Sequence, residues 1–151
     1  MSDVFKKLNW KGQGEILVVN APASFETELV QLEGVAIRRN PDEVDSVAFA
    51  LAFVMWQEEV NRLAEAIAPK AQGDAVVWFA YPKGSSKKYK CEFNRDTGWS
   101  VLGEQGFEPV RQVAIDEDWS ALRFRRVEYI QSMTRNKQRA MSAAGKKRVG
   151  S

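Results

Sequence analysis

The apolar positions of this chain fall into short solid runs, separated by polar segments that carry glycine and proline. The purest run is 75–81, AVVWFAY, which stops at Pro82 and turns into the basic, serine-bearing stretch KGSSKKYK. A run with no polar alternation, rich in β-branched and aromatic residues, predicts a strand buried on both faces, as in the middle of a parallel sheet. The run EILVVN at 15–20 predicts a first strand, and 35–38 a short second one. The run SVAFALAFV at 46–54 has the composition of a buried strand or a buried helix. Strand is the better reading, because the segment after it is plainly helical.

That helix is predicted over 56–71. Val60, Leu63, Ala64 and Ile67 recur at helical spacing, with Glu58, Asn61, Arg62 and Glu65 opposite. An earlier helix is expected from Ser24, read as its N-cap, to Gly34, with Phe25, Leu29 and Leu32 on one face. A third is expected from Asn94 to about Gly103, with Trp99 and Leu102 inward. Strands at 110–115 and 122–127 are close enough for an antiparallel hairpin across Asp116-Glu117-Asp118-Trp119-Ser120. A last helix is expected over 128–144. In the polar stretch 1–14, Phe5, Leu8 and Trp10 are candidate anchors onto the body. The order β-α-β-β-α-β-α-β-β predicts a three-layer α/β domain with a mostly parallel sheet, covering 1–130. A basic helix and tail would follow over 131–151.

Charge changes this picture at one end. The net charge of +2 is uneven, since every acidic residue lies at or before Glu128. Beyond it stand Arg135, Lys137, Arg139, Lys146, Lys147 and Arg148, with no acid among them. A mildly acidic body with a cationic tail points to nucleic acid or an acidic protein as a partner. The tail lacks aromatics, which argues against base stacking.

Two absences narrow the chemistry. The chain has no histidine, which removes imidazole bases, the usual triads and imidazole metal sites. Its single cysteine, Cys91, excludes an internal disulfide and a thiolate zinc cluster. Neither an apolar run of membrane-spanning length nor a signal-peptide core is present, so the chain reads as cytoplasmic.

Three phrases carry a resemblance: LVVNAPASFETEL (17–29), VVWFAYPKGSS (76–86) and AIDEDWSALRF (114–124). Through them the chain resembles a small bacterial domain family of unknown function with the class I methyltransferase-like Rossmann fold. The resemblance implies a sheet in the order 2-1-3-4-6-5. It carries no activity and no cofactor over to this chain. Methyltransferases of that fold hold their cofactor with a glycine-rich turn after the first strand and an acid after the second. Here the first turn is Asn20-Ala21-Pro22-Ala23-Ser24, and the second strand ends in Arg38-Arg39-Asn40. Gly12 and Gly14 precede the first strand rather than follow it. These departures argue against S-adenosylmethionine bound in the usual manner.

The candidate sites follow from the expected strand ends, where α/β folds place ligands. Ser24, Arg38, Lys83, Ser85 and Ser86 could together meet a nucleotide-type or other anionic ligand, through loop N–H groups, hydroxyls and positive charge. The bland alternative is a set of solvated loops. Asp116-Glu117-Asp118 could hold a hard cation or act as an acid/base pair, but such links are more often simply hydrated. Cys91 lies near Lys88 and Lys90 in sequence, yet without a histidine it makes a poor nucleophile. The reading is a degenerate Rossmann-like binding module, with a tail-docking interaction protein and a methyltransferase as the alternatives.

Overall fold

A computed structural model describes residues 3–91, 93 and 97–130. Among these residues six strands form one sheet: β1 (Glu15–Val19), β2 (Ala36–Arg38), β3 (Val47–Phe53), β4 (Ala71–Pro82), β5 (Phe107–Ala114) and β6 (Trp119–Arg126). Their order is β2-β1-β3-β4-β6-β5. β1 pairs in parallel with β2 and β3, and β3 with β4, while β6 runs antiparallel between β4 and β5. The expected order and the terminal hairpin are both present, and this is the methyltransferase-like Rossmann arrangement.

Four α-helices among the described residues cover the sheet: α1 (Asp3–Lys7), α2 (Ala23–Leu29), α3 (Gln57–Ile67) and α4 (Ser100–Glu104). The two-residue period of the strands sorts their side chains between two cores. Ile16, Val18, Phe49, Leu51, Phe53, Val76 and Trp78 pack with Phe5 of α1, Leu8 just after it, and Phe25 and Leu29 of α2. Leu17, Val19, Ala50, Ala52, Val77 and Phe79 pack on the other face with Val60, Leu63, Ala64 and Ile67 of α3 and Val101 and Leu102 of α4. β3 shows how the layers fit. It offers phenylalanine and leucine to the α1/α2 side, and Val47 followed by two alanines, at positions 50 and 52, to the side where α3 lies. Small residues there let the helix sit close to the strand.

Two tryptophans anchor the halves. The Trp78 indole N–H donates to the Leu8 carbonyl at 2.7 Å inside the core, which fixes the end of α1 over the middle of the sheet. Trp99 meets Phe79, Tyr81, Phe93 and Phe124 edge-on or tilted, with ring centroids 4.9–6.1 Å apart. Such contacts add to area burial by about 0.5–1.5 kcal/mol each.

Several boundaries differ from expectation. α2 ends at Leu29 rather than Gly34, and Val30 caps it. Its N-cap is Pro22, not Ser24, because Pro22 takes the extended backbone that an N-cap needs (φ −70, ψ 161). β4 begins at Ala71, ahead of Asp74, through a pairing with Val47 on the far side of an irregularity. β5 begins at Phe107 and β6 at Trp119. α4 is shorter than expected, and Asn94, its expected cap, lies outside the described residues. The expected last helix also lies outside them beyond Ile130; 127–129 form a single 3-10 turn.

Candidate functional site

The exits of β1, β2, β3 and β4 share one edge of the sheet, because these strands are parallel. β6 starts at that edge too, with Trp119 opposite Pro82. The chain leaves β1 toward β2 on one side, while β3 lies on the other, so the strand order reverses between β1 and β3. In open α/β sheets ligands bind outside the strand ends at such a point.

At the β1 exit the reversal is stitched shut. Asn20 has a left-handed backbone (φ 59), which asparagine tolerates better than most residues. Its amide donates to the Phe53 carbonyl and to Glu59 Oε2, both at 3.4 Å. The other oxygen of Glu59 accepts the N–H groups of Met55 at 2.8 Å and Trp56 at 3.0 Å. The start of α3 is therefore already matched to a carboxylate of its own. Ser24 is exposed in the first turn of α2, where its carbonyl accepts the Thr27 hydroxyl at 2.9 Å.

At the β2 exit the arginines are engaged. Arg38 Nε bonds Glu15 Oε2 at 2.9 Å, which draws its guanidinium back toward the start of β1. Arg39 makes a two-pronged pair with Glu26, at 2.7 and 2.9 Å. Glu43 accepts the backbone N–H groups of Arg39 and Asn40 at 2.7 and 3.0 Å, and these bonds hold its carboxyl below the usual carboxylate range.

The β3 and β4 exits differ in kind. Phe25, Phe53, Trp119 and Tyr89 form a row of rings along the edge, with successive centroids 5.1, 5.1 and 5.0 Å apart. Trp119 is 3% exposed, and its indole N–H has no hydrogen-bond partner among the described residues. Trp56, by contrast, is 53% exposed. It sits between β3 and α3, one carboxylate away from Asn20.

The Lys/Ser loop and the acidic link, read separately from the sequence, are one structure. Lys83 N–H donates to the Asp118 carbonyl at 2.8 Å, and the Ser86 hydroxyl donates to Asp118 Oδ1 at 2.8 Å. Ser86 Oγ also accepts the N–H groups of Lys88 and Tyr89, at 3.2 and 3.1 Å. One donor and two acceptor sites are all a hydroxyl has, so Ser86 is saturated. Asp116 Oδ1 accepts from the N–H groups of Asp118 and Trp119. Among the described residues no cluster of three or more acidic or cysteine side chains forms a metal site. Lys83 is partly exposed and Ser85 exposed, at the rim of the loop. Cys91 packs partly buried against the α3/α4-side core.

Of the five candidate ligand residues, the structure places Ser24, Lys83, Ser85 and Ser86 at the strand-exit edge, while the Arg38 guanidinium turns away from it. The six tail cations lie outside the described residues. Sequence reading missed Asn20, Trp56 and Glu59, and it took Asp118 for a cation or acid/base candidate rather than the partner of Ser86. Glu59 stands three residues after Trp56, the spacing of a carboxylate that reaches back to a helix start, and could have been found. The bond between Ser86 and Asp118 joins residues 32 apart in sequence and leaves no local signal. At the opposite edge, a cavity of about 10 Å³ lined by Glu15, Val44, Ser46 and their neighbours has room for at most one water.

No family model matches the chain, and no curated protein matches it by sequence. Solved structures match it by shape. A SAM-dependent methyltransferase from Aquifex aeolicus superposes with a TM-score of 0.56 at 14% identity, over 83% of this chain and 88% of that one. The pyocyanin biosynthetic protein PhzM gives 0.53 at 11% identity, over 83% of this chain and 53% of its own. TrmN from Thermus thermophilus gives 0.53 at 8% identity, over 83% and 47%. The chain thus spans about half the length of PhzM and of TrmN. No described helix is long and apolar enough to cross a membrane.

Proposed function

We propose that this protein is a cytoplasmic binding module on a methyltransferase-like scaffold, which takes a nucleotide-type or similar anionic ligand at its strand exits. The observation that carries this reading is the exposed indole of Trp56 at the point where strand order reverses. An aromatic face there stacks on a base, which is worth about 1–3 kcal/mol per base in nucleic-acid sites. The Lys83-Gly84-Ser85 loop leaves the adjacent strand and supplies charge, a hydroxyl and backbone N–H groups to an anionic part. Ser24 offers a further hydroxyl, and Ser86 holds the loop in shape through Asp118. Arg38 joins only by giving up Glu15. Both partners of that pair are well exposed, so the exchange costs less than about 1 kcal/mol.

The same edge disfavours methyl transfer by the usual route. Pro22 lacks an N–H where a glycine turn would approach the cofactor, and the β2 exit is basic where the ribose would need an acid. A thermal-shift panel with S-adenosylmethionine, NAD(P), ATP and inorganic phosphate tests the proposal. A ligand at a hundredfold excess over Kd stabilises by about 2.7 kcal/mol, or roughly 5–10 °C in a domain of this size. The expected result is a shift with a nucleotide that is lost in Trp56→Ala. No shift with any compound overturns the reading. A shift with S-adenosylmethionine alone moves the assignment to the methyltransferase alternative.

A second reading rests on the run of unopposed cations from Arg135 to Arg148. They would dock nucleic acid or an acidic protein with strong salt dependence. Binding at low and high salt, compared between the full chain and one ending at Ile130, tests it. Equal binding by the two removes the tail from the account.

A further inference from the structure

The β5–β6 hairpin carries a second cationic surface, set along the strands away from the exits. Arg111 and Arg123 lie directly opposite each other, just past an irregularity at 109–111. Residues so paired share a face and have Cβ atoms about 4.5–5.5 Å apart, where like charges repel. Trp78 follows next in the same row across β4. Arg123 is partly buried, and its Nε is shut off from solvent with no hydrogen-bond partner among the described residues. Burial pushes this guanidinium's pKa down, and the charges of Arg125 and Arg111 push the same way, opposed by Asp74. Asp74 is itself committed to Arg125, through two bonds of 2.8 and 2.6 Å. Among the described residues no carboxylate forms an ion pair with Arg111 or Arg123. Lys7, from α1 above this side of the sheet, reaches the Ala114 carbonyl of β5 at 3.2 Å and adds positive charge along the strand.

We infer that Arg111 and Arg123 form a site for a phosphate-type oxyanion. Two guanidinium forks side by side match an anion with several oxygens and more than one negative charge better than they match a single carboxylate. The anion would relieve their mutual repulsion, and a small turn of the Arg123 fork would give the orphaned Nε–H an acceptor. The chemistry is the same for a free phosphate or phosphate ester and for the backbone of a nucleic acid.

Melting of the full chain in phosphate against chloride, at matched ionic strength, tests this. The wild type should be stabilised by phosphate over chloride, and Arg111→Gln and Arg123→Gln should bind it about tenfold more weakly. Lys11→Ala, which removes an exposed positive charge belonging to neither site, should keep the response, which separates this site from general electrostatics. Arg111 is exposed, so Arg111→Gln carries the test if Arg123→Gln fails to fold. A parallel titration with a single-stranded oligonucleotide identifies the source. Binding that weakens in Arg111→Gln, with a shallower salt dependence, assigns the site to a polymer backbone. A phosphate response lost in Arg111→Gln beside unchanged oligonucleotide binding assigns it to a free phosphate group. No phosphate effect beyond chloride, or one equal in wild type and both arginine variants, overturns the inference.

Discussion

The exits of β1 and β2 and those of β3 and β4 lie on one edge of one sheet, yet they are finished in opposite ways. At the first pair four polar side chains have internal partners: Asn20 with Phe53 and Glu59, Arg38 with Glu15, Arg39 with Glu26, and Glu43 with two backbone N–H groups. At the second pair an indole stands in solvent, a lysine and a serine rim a glycine turn, and a tryptophan N–H waits unpaired beneath a tyrosine. Fold and ligand chemistry are therefore separable. The sheet keeps its order because its cores do, while the edge is free to close in one place and open in another.

The largest effect should come from the residue common to both pairs. Phe53 is 2% exposed, contacts Phe25 and Trp119, and its carbonyl accepts from Asn20. Phe53→Ala should cost about 3–5 kcal/mol in urea unfolding, by lost burial and the cavity left behind. A loss below about 1 kcal/mol would mean that the ring row is not a continuous part of the core.

Next comes the staple that shapes the open exits. Ser86→Ala leaves an oxygen of Asp118 and the N–H groups of Lys88 and Tyr89 without their partner. The site is only partly buried and water reaches some of these groups, so the expected loss is about 1–2 kcal/mol. Amide exchange in 83–90 should speed up while exchange in α3 holds. Uniform acceleration across the chain would show that the loop has no stability of its own to lose.

The legibility of these elements in the sequence follows their range. The strand at 75–81 was plain because both of its faces are apolar, and α3 because its stripe is regular. The sheet order came through the resemblance, and the hairpin came through its short link. The α2 boundaries were not legible: Ser24 has the chemistry of a cap, but Pro22, two residues earlier, has its backbone. Arg38 looked like a ligand residue by position alone, and only its register beside β1 shows Glu15 within reach. The pairing of Arg111 with Arg123 depends on an irregularity in β5 that shifts the register, and no local pattern announces it. Local chemistry was legible and tertiary pairing was not.

Trp56 sharpens the comparison from the other side. It is the largest exposed apolar side chain at the edge, and stability should owe it little. Trp56→Ala should change unfolding free energy by no more than about 0.5 kcal/mol while removing the response to nucleotide. A destabilisation like that of Phe53→Ala would make Trp56 part of the core and leave the open exits without a stacking face.

The smallest effect belongs to the closed exits and has a definite sign. The N–H groups of Arg39 and Asn40, in that order, depress the Glu43 carboxyl below its ordinary value of 4.5, with smaller help from the charges of Arg38 and Arg39. A carboxyl with a depressed folded-state pKa binds its proton more readily once unfolded. Its contribution is therefore present above 4.5 and is lost as pH falls through the lower folded value. Glu43→Gln keeps an acceptor but removes the charge. It should lower stability slightly above about pH 4.5 and leave the acid end of a stability–pH profile nearly unchanged, so that the acid slope flattens. Because Glu43 is fully exposed, the change should be small beside that of Ser86→Ala, and added salt should shrink the part due to the two arginines. A variant that instead lost stability equally at all pH values would show the β2 exit held by the hydrogen-bond geometry of Glu43 alone, with its charge irrelevant.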